Sequence, residues 1–291
     1  MNNFLQFLAA GITSGAIYAL IGLGFSIIFN ASKIINLAQG EFVTLGGIVT
    51  ATLLASGAPL LLAVPGSVLV AVLAGMLMEK LTIEPVRRMA LHTVIMVTVG
   101  VSIFLQGLIQ VVFGKGLKVV PAFSGDTPIS IGGASIAPQN FWVLGALILC
   151  VALLWVFFNK TKYGKAMLAA SQNPVAAELV GIDVRRTLLA SFACAGLLGG
   201  VAGAVAAPIT LTSYDTGVML GLKGFVAATL GGLGSGPGAV MGGIVLGIIE
   251  AFAAGYISSS YRDAIPFLLI VPILLVLPNG LLGLRGSVDR V

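Results

Sequence analysis

The chain has 291 residues, of which 9% are charged and 58% hydrophobic, with 39 glycines and a mean hydropathy of +1.11. A soluble domain carries about 25% charged residues, so this composition argues against a soluble enzyme, a disordered chain or a nucleic-acid binder. It indicates a polytopic membrane protein built from helices. The net charge of +5 comes from short clusters between apolar runs, the pattern of positive residues that flank membrane spans. No segment carries the dense basic stripe with interleaved aromatics expected of a nucleic-acid surface.

The spans are read from runs without Asp, Glu, Lys or Arg: residues 1–32, 42–78, 89–114, 127–159, 187–214, 224–249 and 264–284. A span needs roughly 20 apolar residues. The first run lacks a basic leader and its apolar stretch is longer than a signal-peptide core, so a retained span is expected. Lys33 follows it, which places the N-terminus outside and Lys33 inside. The run 42–78 is long enough for two spans, with Gly57-Ala58-Pro59 as the turn between them.

Loop charges then alternate. The segment 79–92 carries Lys80, Arg87 and Arg88 and reads as cytoplasmic. The segment 114–140 is polar and rich in Gly and Pro, with Lys115 and Lys118, and reads as external. The segment 159–186 carries Lys160, Lys162, Lys165, Arg185 and Arg186, and the tail carries Arg285 and Arg290; both read as cytoplasmic. This arrangement puts 11 of the 15 basic residues inside; only Lys115, Lys118, Lys223 and Arg262 fall elsewhere.

Parity requires the chain from 217 to 256 to go in and come back. Its middle, 230–238, contains Gly231, Gly232, Gly234, Gly236, Pro237 and Gly238, which is turn chemistry rather than helix interior. Two short crossings and a broken re-entrant hairpin both satisfy this. The expected fold is therefore all-α: one transmembrane helix bundle over residues 1–291, with about eight spans including this Gly-rich hairpin. Gly196, Gly199, Gly200 and Gly203 lie on one span as two small-xxx-small pairs, which allow close helix packing or a moving contact. A weak internal echo pairs 42–47 with 225–232, of the kind found in transporters with repeats.

The loop 159–186 is the most informative stretch. Residues 165–172 favour a short helix. Asn173 has the chemistry of an N-cap, Pro174 that of a first helical residue and Gly181 that of a glycine ending a helix. Val175, Leu179 and Ile182 share one side at spacings of four and three, while Glu178 faces elsewhere. Such an amphipathic segment either lies at the lipid interface or docks into a groove on a soluble partner.

Ionisable and amide side chains inside a bilayer need a reason. Glu41 stands at the entry of the second span, either as an acid at a helix N-terminus or, with Asn36 and Gln39, as part of a gate or partner contact. Glu250 either pairs with Lys223 or Arg262 or lines a pathway. Gln106 and Gln110 are one turn apart and either bond between helices or line a pore. Ser213, Tyr214 and Asp215 read as an external loop. Cys150 and Cys194 sit in apolar runs and read as small buried hydrophobes. His92 has no second His or paired acid near it in sequence, so no metal or nucleophile constellation is expected.

Gly164, Ala170, Asn173, Ala176-Ala177 and Gly181-Ile182 resemble the coupling segment of bacterial ABC importer permeases, and more specifically of the branched-chain amino acid (Liv-type) permeases. The stretches 15–20, 36–42, 231–238 and 242–243 are similar to that family too, so the resemblance covers nearly the whole chain. Within it, the chain is closer to the LivH-like subunits than to the longer LivM-like ones.

The resemblance implies a permease dimer, here a heterodimer with a homologous second permease. It also implies two cytoplasmic ATPase subunits and a periplasmic or lipid-anchored solute-binding protein. The segment 169–182, with Pro174, Glu178 and Leu179, would then fit a cleft on the ATPase. No phosphate-binding G-x-x-x-x-G-K-[ST] loop exists in the sequence, so no cofactor is expected on this chain and ATP with Mg would sit on the partner subunits. The expected function is import of branched-chain or other hydrophobic amino acids across a bacterial inner membrane by alternating access. Urea or short amides as substrate, and an ion-coupled transporter or channel, stand as alternatives. No catalytic constellation is present, so an enzyme is not expected.

Overall fold

The computed structural model describes residues 2–282 except 88, 126, 132, 133, 260–262 and 278. Arg88, Arg262, Arg285 and Arg290, assigned above to loops and tail, lie outside the described residues. The framework is helical. α1 (Asn2–Ser32) leads through a non-helical stretch to α2 (Gln39–Ala55), and Gly57 at φ +87° turns the chain into α3 (Leu60–Met78). A π-turn (Glu79–Ile83) and the short α4 (Glu84–Val86) extend α3, and α5 (Leu91–Phe113) follows.

After α5 comes an element that was not expected, an antiparallel hairpin of β1 (Ile129–Ile131) and β2 (Ala134–Ile136) with Ile129 opposite Ile136. Then come α6 (Pro138–Lys160), α7 (Lys162–Gln172), α8 (Pro174–Leu179) and α9 (Val184–Thr210). α10 (Thr216–Gly231), α11 (Gly236–Tyr256) and α12 (Ile265–Val276) complete the described helices.

Among the described residues, six helices are long and apolar enough to cross a membrane: α1, α3 with its extension, α5, α6, α9 and α11. α2 and α10 are apolar but shorter. They are shorter because each begins inside the bundle. Leu37 N–H, just before α2, donates to Thr98 Oγ1 in α5 at 3.2 Å, and Gln39 Nε2 donates to the Ala195 carbonyl in the middle of α9 at 3.0 Å.

The helix pairings form a pattern. α1 lies along α11 and against α10, and α9 lies along α3 and against α2; α2 touches α10, and α1 touches α9. α5 rests on α2 as α12 rests on α10. Exchanging α1, α2, α3 and α5 for α9, α10, α11 and α12 leaves this set of pairings unchanged. Close contacts show that α1 runs antiparallel to α11, with Gly11 by Ile248 and Gly15 by Ile244, and that α9 runs antiparallel to α3, with Gly75 by Phe192 and Gly196 by Ala71. The two halves therefore form an inverted repeat of the kind used by transporters. The sequence echo finds the right helices in the wrong register. α2 and α10 are equivalent, but they meet through Gly40 and Gly217, the second residue of each, which aligns Phe42 with Met219 rather than Phe225.

In lipid, helices associate through close van der Waals packing rather than through loss of water. α9 presents its glycines to two partners. Gly196 and Gly200 face Ala71 and Val68 on α3, while Gly199 and Gly203 face Phe42 and Val43 on α2. Every residue of α2 from Gln39 to Ala51 is buried. The apolar side chains of α3, α5 and α6 point outward instead, with Leu61, Val111 and Ile148 strongly exposed, as lipid-facing surfaces require. Cys150 and Cys194 are free thiols. The α10–α11 connection is two helices joined by a turn with Gly232 and Gly234 at positive φ.

Candidate functional site

The N-terminal ends of α2 and α10 meet inside the bundle. Gly217 N–H donates to Thr44 Oγ1 at 2.9 Å, and both groups are buried. Each helix carries an acid there: Glu41 in the first turn of α2 and Asp215 at the N-cap of α10. Negative charge is favoured at a helix N-terminus, where unpaired N–H groups add up to about half a positive charge.

Glu41 stands in the first turn of α2, as expected from the sequence, but inside the bundle rather than on its surface. It is 1% exposed, and its Oε1 accepts from Ser102 Oγ on α5 at 2.9 Å. The cause is that the chain after α1 turns back into the bundle before α2 begins. Asn36 Oδ1 accepts from Ala38 N–H at 3.1 Å to shape that turn. The Asn36 Nδ2, Gln39 Oε1 and Glu41 Oε2 atoms are buried without a hydrogen-bond partner. Leaving such an atom unpaired costs about 1–3 kcal/mol.

Gln106 and Gln110 continue the line of Ser102 along α5 at spacings of four. Both are half-buried. Among the described residues, neither makes the interhelical bond of the first of the two readings. α10 contributes a second stripe, in which Asp215, Val218, Met219 and Leu222 are exposed at spacings of three, one and three. Ser102, Thr98 and Thr44 were not singled out from the sequence. The spacing 102–106–110 was legible; the approach of α2 to α5 was not.

Glu250 is 1% exposed, and its Oε1 lies 2.9 Å from Lys223 Nζ, itself 5% exposed. Asp263, an exposed residue just before α12, takes the same ammonium at 2.7 Å. The Lys223 ammonium also lies 5.6 Å from the Tyr18 ring centroid. This network ties α10, α11 and the start of α12 to α1. Of the two expected partners for Glu250, Lys223 is the one observed; Arg262 lies outside the described residues.

The loop between α6 and α9 is built at fixed corners. Thr161 Oγ1 accepts from Gly164 N–H at 3.0 Å and caps α7. Gly164 itself packs so tightly on α6 that a Cβ would lie 2.7 Å from Phe158 Cα. Met167 and Ala170 anchor α7 in the bundle. Asn173 Oδ1 accepts from Ala176 N–H at 3.0 Å and caps α8, with Pro174 as its first residue. Gly181, at φ +85°, closes a Schellman motif: its N–H donates to Glu178 O at 3.0 Å and Ile182 N–H to Ala177 O at 2.9 Å.

Only Ala177 of α8 is buried. Val175, Leu179 and Val180 are 68%, 85% and 76% exposed, and Ala176 and Glu178 are exposed with them. The apolar residues of this tip face away from the bundle. Ile182 is half-buried at the return to α9, whereas Val175 and Leu179, expected on one side with it, are exposed.

Comparison with known proteins gives the same assignment along the whole chain. Residues 7–274 match the family described as branched-chain amino acid transport system, permease component. The chain is 32% identical to the high-affinity branched-chain amino acid transport system permease protein LivH of Escherichia coli strain K12, over 99% of this chain and 98% of that one. It is 30% identical to BraD of Pseudomonas aeruginosa over 99% and 98%, and 28% identical to a probable LivH of Methanocaldococcus jannaschii over 95% and 91%. The ion-coupled and channel alternatives are not favoured by these relatives. With its bundle of apolar helices, the chain is a multi-pass membrane protein and a transport component rather than an enzyme, and it belongs to the family of branched-chain amino acid transport system permease components.

Proposed function

We propose that this chain is the LivH-like permease subunit of an ATP-driven importer for branched-chain or other hydrophobic amino acids in a bacterial inner membrane. The N-terminus lies outside and the C-terminus in the cytoplasm. The chain works in a complex with a homologous second permease, two cytoplasmic ATPase subunits carrying ATP and Mg, and a solute-binding protein. The relatives named above support the substrate class.

The single observation that carries the coupling role is the α8 tip. A capped helix of six residues exposes Val175, Leu179 and Val180 on the basic, loop-bearing end of the bundle. Exposed aliphatic side chains on a structured tip are suited to a groove on a soluble partner. Gly164, Ala170, Asn173, Pro174, Ala176, Ala177, Glu178, Leu179, Gly181 and Ile182 form this coupling segment. ATP-driven closure of the partner subunits moves it, and α7 passes the movement to α6, α9 and α1, on which it packs.

The transport path runs past the α2–α10 junction. Glu41, Gln106 and Gln110 supply polar contacts along an otherwise apolar route, and the unpaired atoms of Asn36 and Gln39 mark the part of the bundle that rearranges. Few fixed charges suit a zwitterion with an aliphatic side chain. Glu250 holds α10 and α11 together through Lys223 rather than touching solute.

Co-purification from native membranes in mild detergent tests this, with associated chains identified by mass. The intact chain is expected to bring down an ATPase, and a Val175→Asp, Leu179→Asp variant to lose it. Recovery of the chain with no ATPase would overturn the importer reading. Retention of the ATPase by the variant would overturn the role of α8.

A further inference from the structure

Among the described residues other than glycine, only Lys33 at +58° and Leu211 at +52° have positive φ. They hold equivalent places in the inverted repeat. Lys33 starts the connection from α1 to α2, and Leu211 starts the connection from α9 to α10. Each turns the chain back so that the next helix begins inside the bundle, and the inversion puts the two turns at opposite ends. A leucine at φ +52° is strained. Such a conformation persists only where its surroundings enforce it.

At Leu211 a segment from far back in the sequence does so. Lys118 N–H donates to Thr212 O at 2.8 Å, and Thr212 N–H donates to Lys118 O at 3.0 Å. Lys118 Nζ donates to Thr52 Oγ1 near the end of α2 at 2.9 Å and lies 5.7 Å from the Phe113 ring centroid. Val120 is buried with Ala51 of α2 and Ala207 of α9. Phe123 N–H then donates to Gln139 Oε1 on α6 at 3.2 Å, and Gln139 Nε2 donates to Val205 O on α9 at 2.9 Å. Residues 118–123 therefore form a strap across the ends of α2 and α9, fastened at both of its own ends.

Thr212 is where the strap reaches the α2–α10 junction. It is 2% exposed, and a Cβ on Gly47 of α2 would lie 3.0 Å from its Oγ1. The turn after α1 has no backbone bridge of this kind among the described residues. Lys33 N–H bonds back to Phe29 O on its own helix at 2.8 Å. The two ends of the repeat are thus held differently, as a path open to one side at a time requires.

We infer that the strap is the outer latch of the transport path. Its pairing with Thr212 holds the start of α10 against α2. Solute enters from outside when that pairing parts and the strained turn at Leu211 relaxes. This rests on the path and the orientation proposed above.

A disulfide across the latch tests it. In an antiparallel pair that exchanges both backbone bonds the Cα atoms lie about 5.5 Å apart, a separation that a disulfide spans. Lys118→Cys and Thr212→Cys are combined with Cys150→Ala and Cys194→Ala, and the assembled importer is reconstituted in proteoliposomes. Oxidation is expected to lower uptake of radiolabelled leucine about tenfold, and reductant to restore it. Each single-cysteine variant should ignore the oxidant. Complete cross-linking with unchanged uptake would overturn the latch and leave the path reading standing. No leucine uptake by the unaltered complex would instead overturn the proposed function. Amide hydrogen exchange of the unaltered complex judges the latch without solute. Peptides holding Lys118 and Thr212 should exchange about tenfold faster in one of the nucleotide-free and vanadate-trapped states than in the other. Equal exchange in both states would overturn the latch.

Discussion

Gly40 and Gly217 meet backbone to backbone where α2 and α10 converge: a Cβ on Gly217 would lie 2.7 Å from the Gly40 carbonyl carbon, and one on Gly40 would lie 2.8 Å from that of Gly217. The contact joins equivalent positions of the two halves. It lets two helix N-termini approach inside the bundle, with an acid on each to offset the dipoles.

Gly40→Ala and Gly217→Ala should each destabilise the bundle. Neither backbone carbonyl can retreat far, because Gly217 is also bonded to Thr44. Overpacking of this kind costs about 1–3 kcal/mol. Gly107→Ala on α5 is the matched control, since nothing lies within 4 Å of the added methyl, and a mid-helix Gly→Ala change gains about 1 kcal/mol. Thermal unfolding in one detergent compares all three; equal midpoints for the three variants would contradict the packing argument.

Lys223→Met should cost about 3–5 kcal/mol, because it leaves the buried Glu250 carboxylate without its ammonium. The double change Lys223→Met, Glu250→Leu should recover most of that loss, since a well-packed apolar pair replaces a buried ion pair at little cost. Asp263→Asn should cost at most about 1 kcal/mol, as Asp263 is 62% exposed and solvent screens its share. A double-mutant cycle read by unfolding midpoints gives all three values.

Glu41→Gln separates the two readings of that acid. A dipole role alone predicts a stability loss of about 0.3–1 kcal/mol with transport intact. A path or gate role predicts an assembled complex whose uptake of radiolabelled leucine in proteoliposomes falls by about tenfold, a change of roughly 1.4 kcal/mol in the barrier. The second outcome is expected. Ser102→Ala should reproduce it in weaker form, because the Glu41 carboxyl then loses the Ser102 hydrogen bond but stays in place.

Gly181→Ala should uncouple the loop without unfolding the bundle. At φ +85° a side chain costs about 1–2 kcal/mol, and the Schellman bonds to Glu178 and Ala177 weaken. The expected result is a small drop in the unfolding midpoint with clearly reduced ATPase stimulation by loaded solute-binding protein in the reconstituted importer. A normal stimulation ratio would show that the end of α8 tolerates rearrangement.

The sequence by itself determined the helical class, because charge-free runs of span length leave few alternatives in a medium without water. It determined the α8 corner as well, since Asn173, Pro174 and Gly181 act through local backbone chemistry that needs no distant partner. It located the turn between α10 and α11 from its glycines, and it named Lys223 as a partner for Glu250 from charge alone. Only the tertiary structure decided that α2 and α10 begin inside the bundle. The turn that carries the chain back after α1 is fixed by Thr98 and Ala195, which lie 61 and 156 residues from the groups that bond to them. The depth of Glu41, the Gly40–Gly217 contact and the register of the repeat all follow from that return. They depend on contacts between residues far apart in the chain, which hydropathy and spacing do not encode.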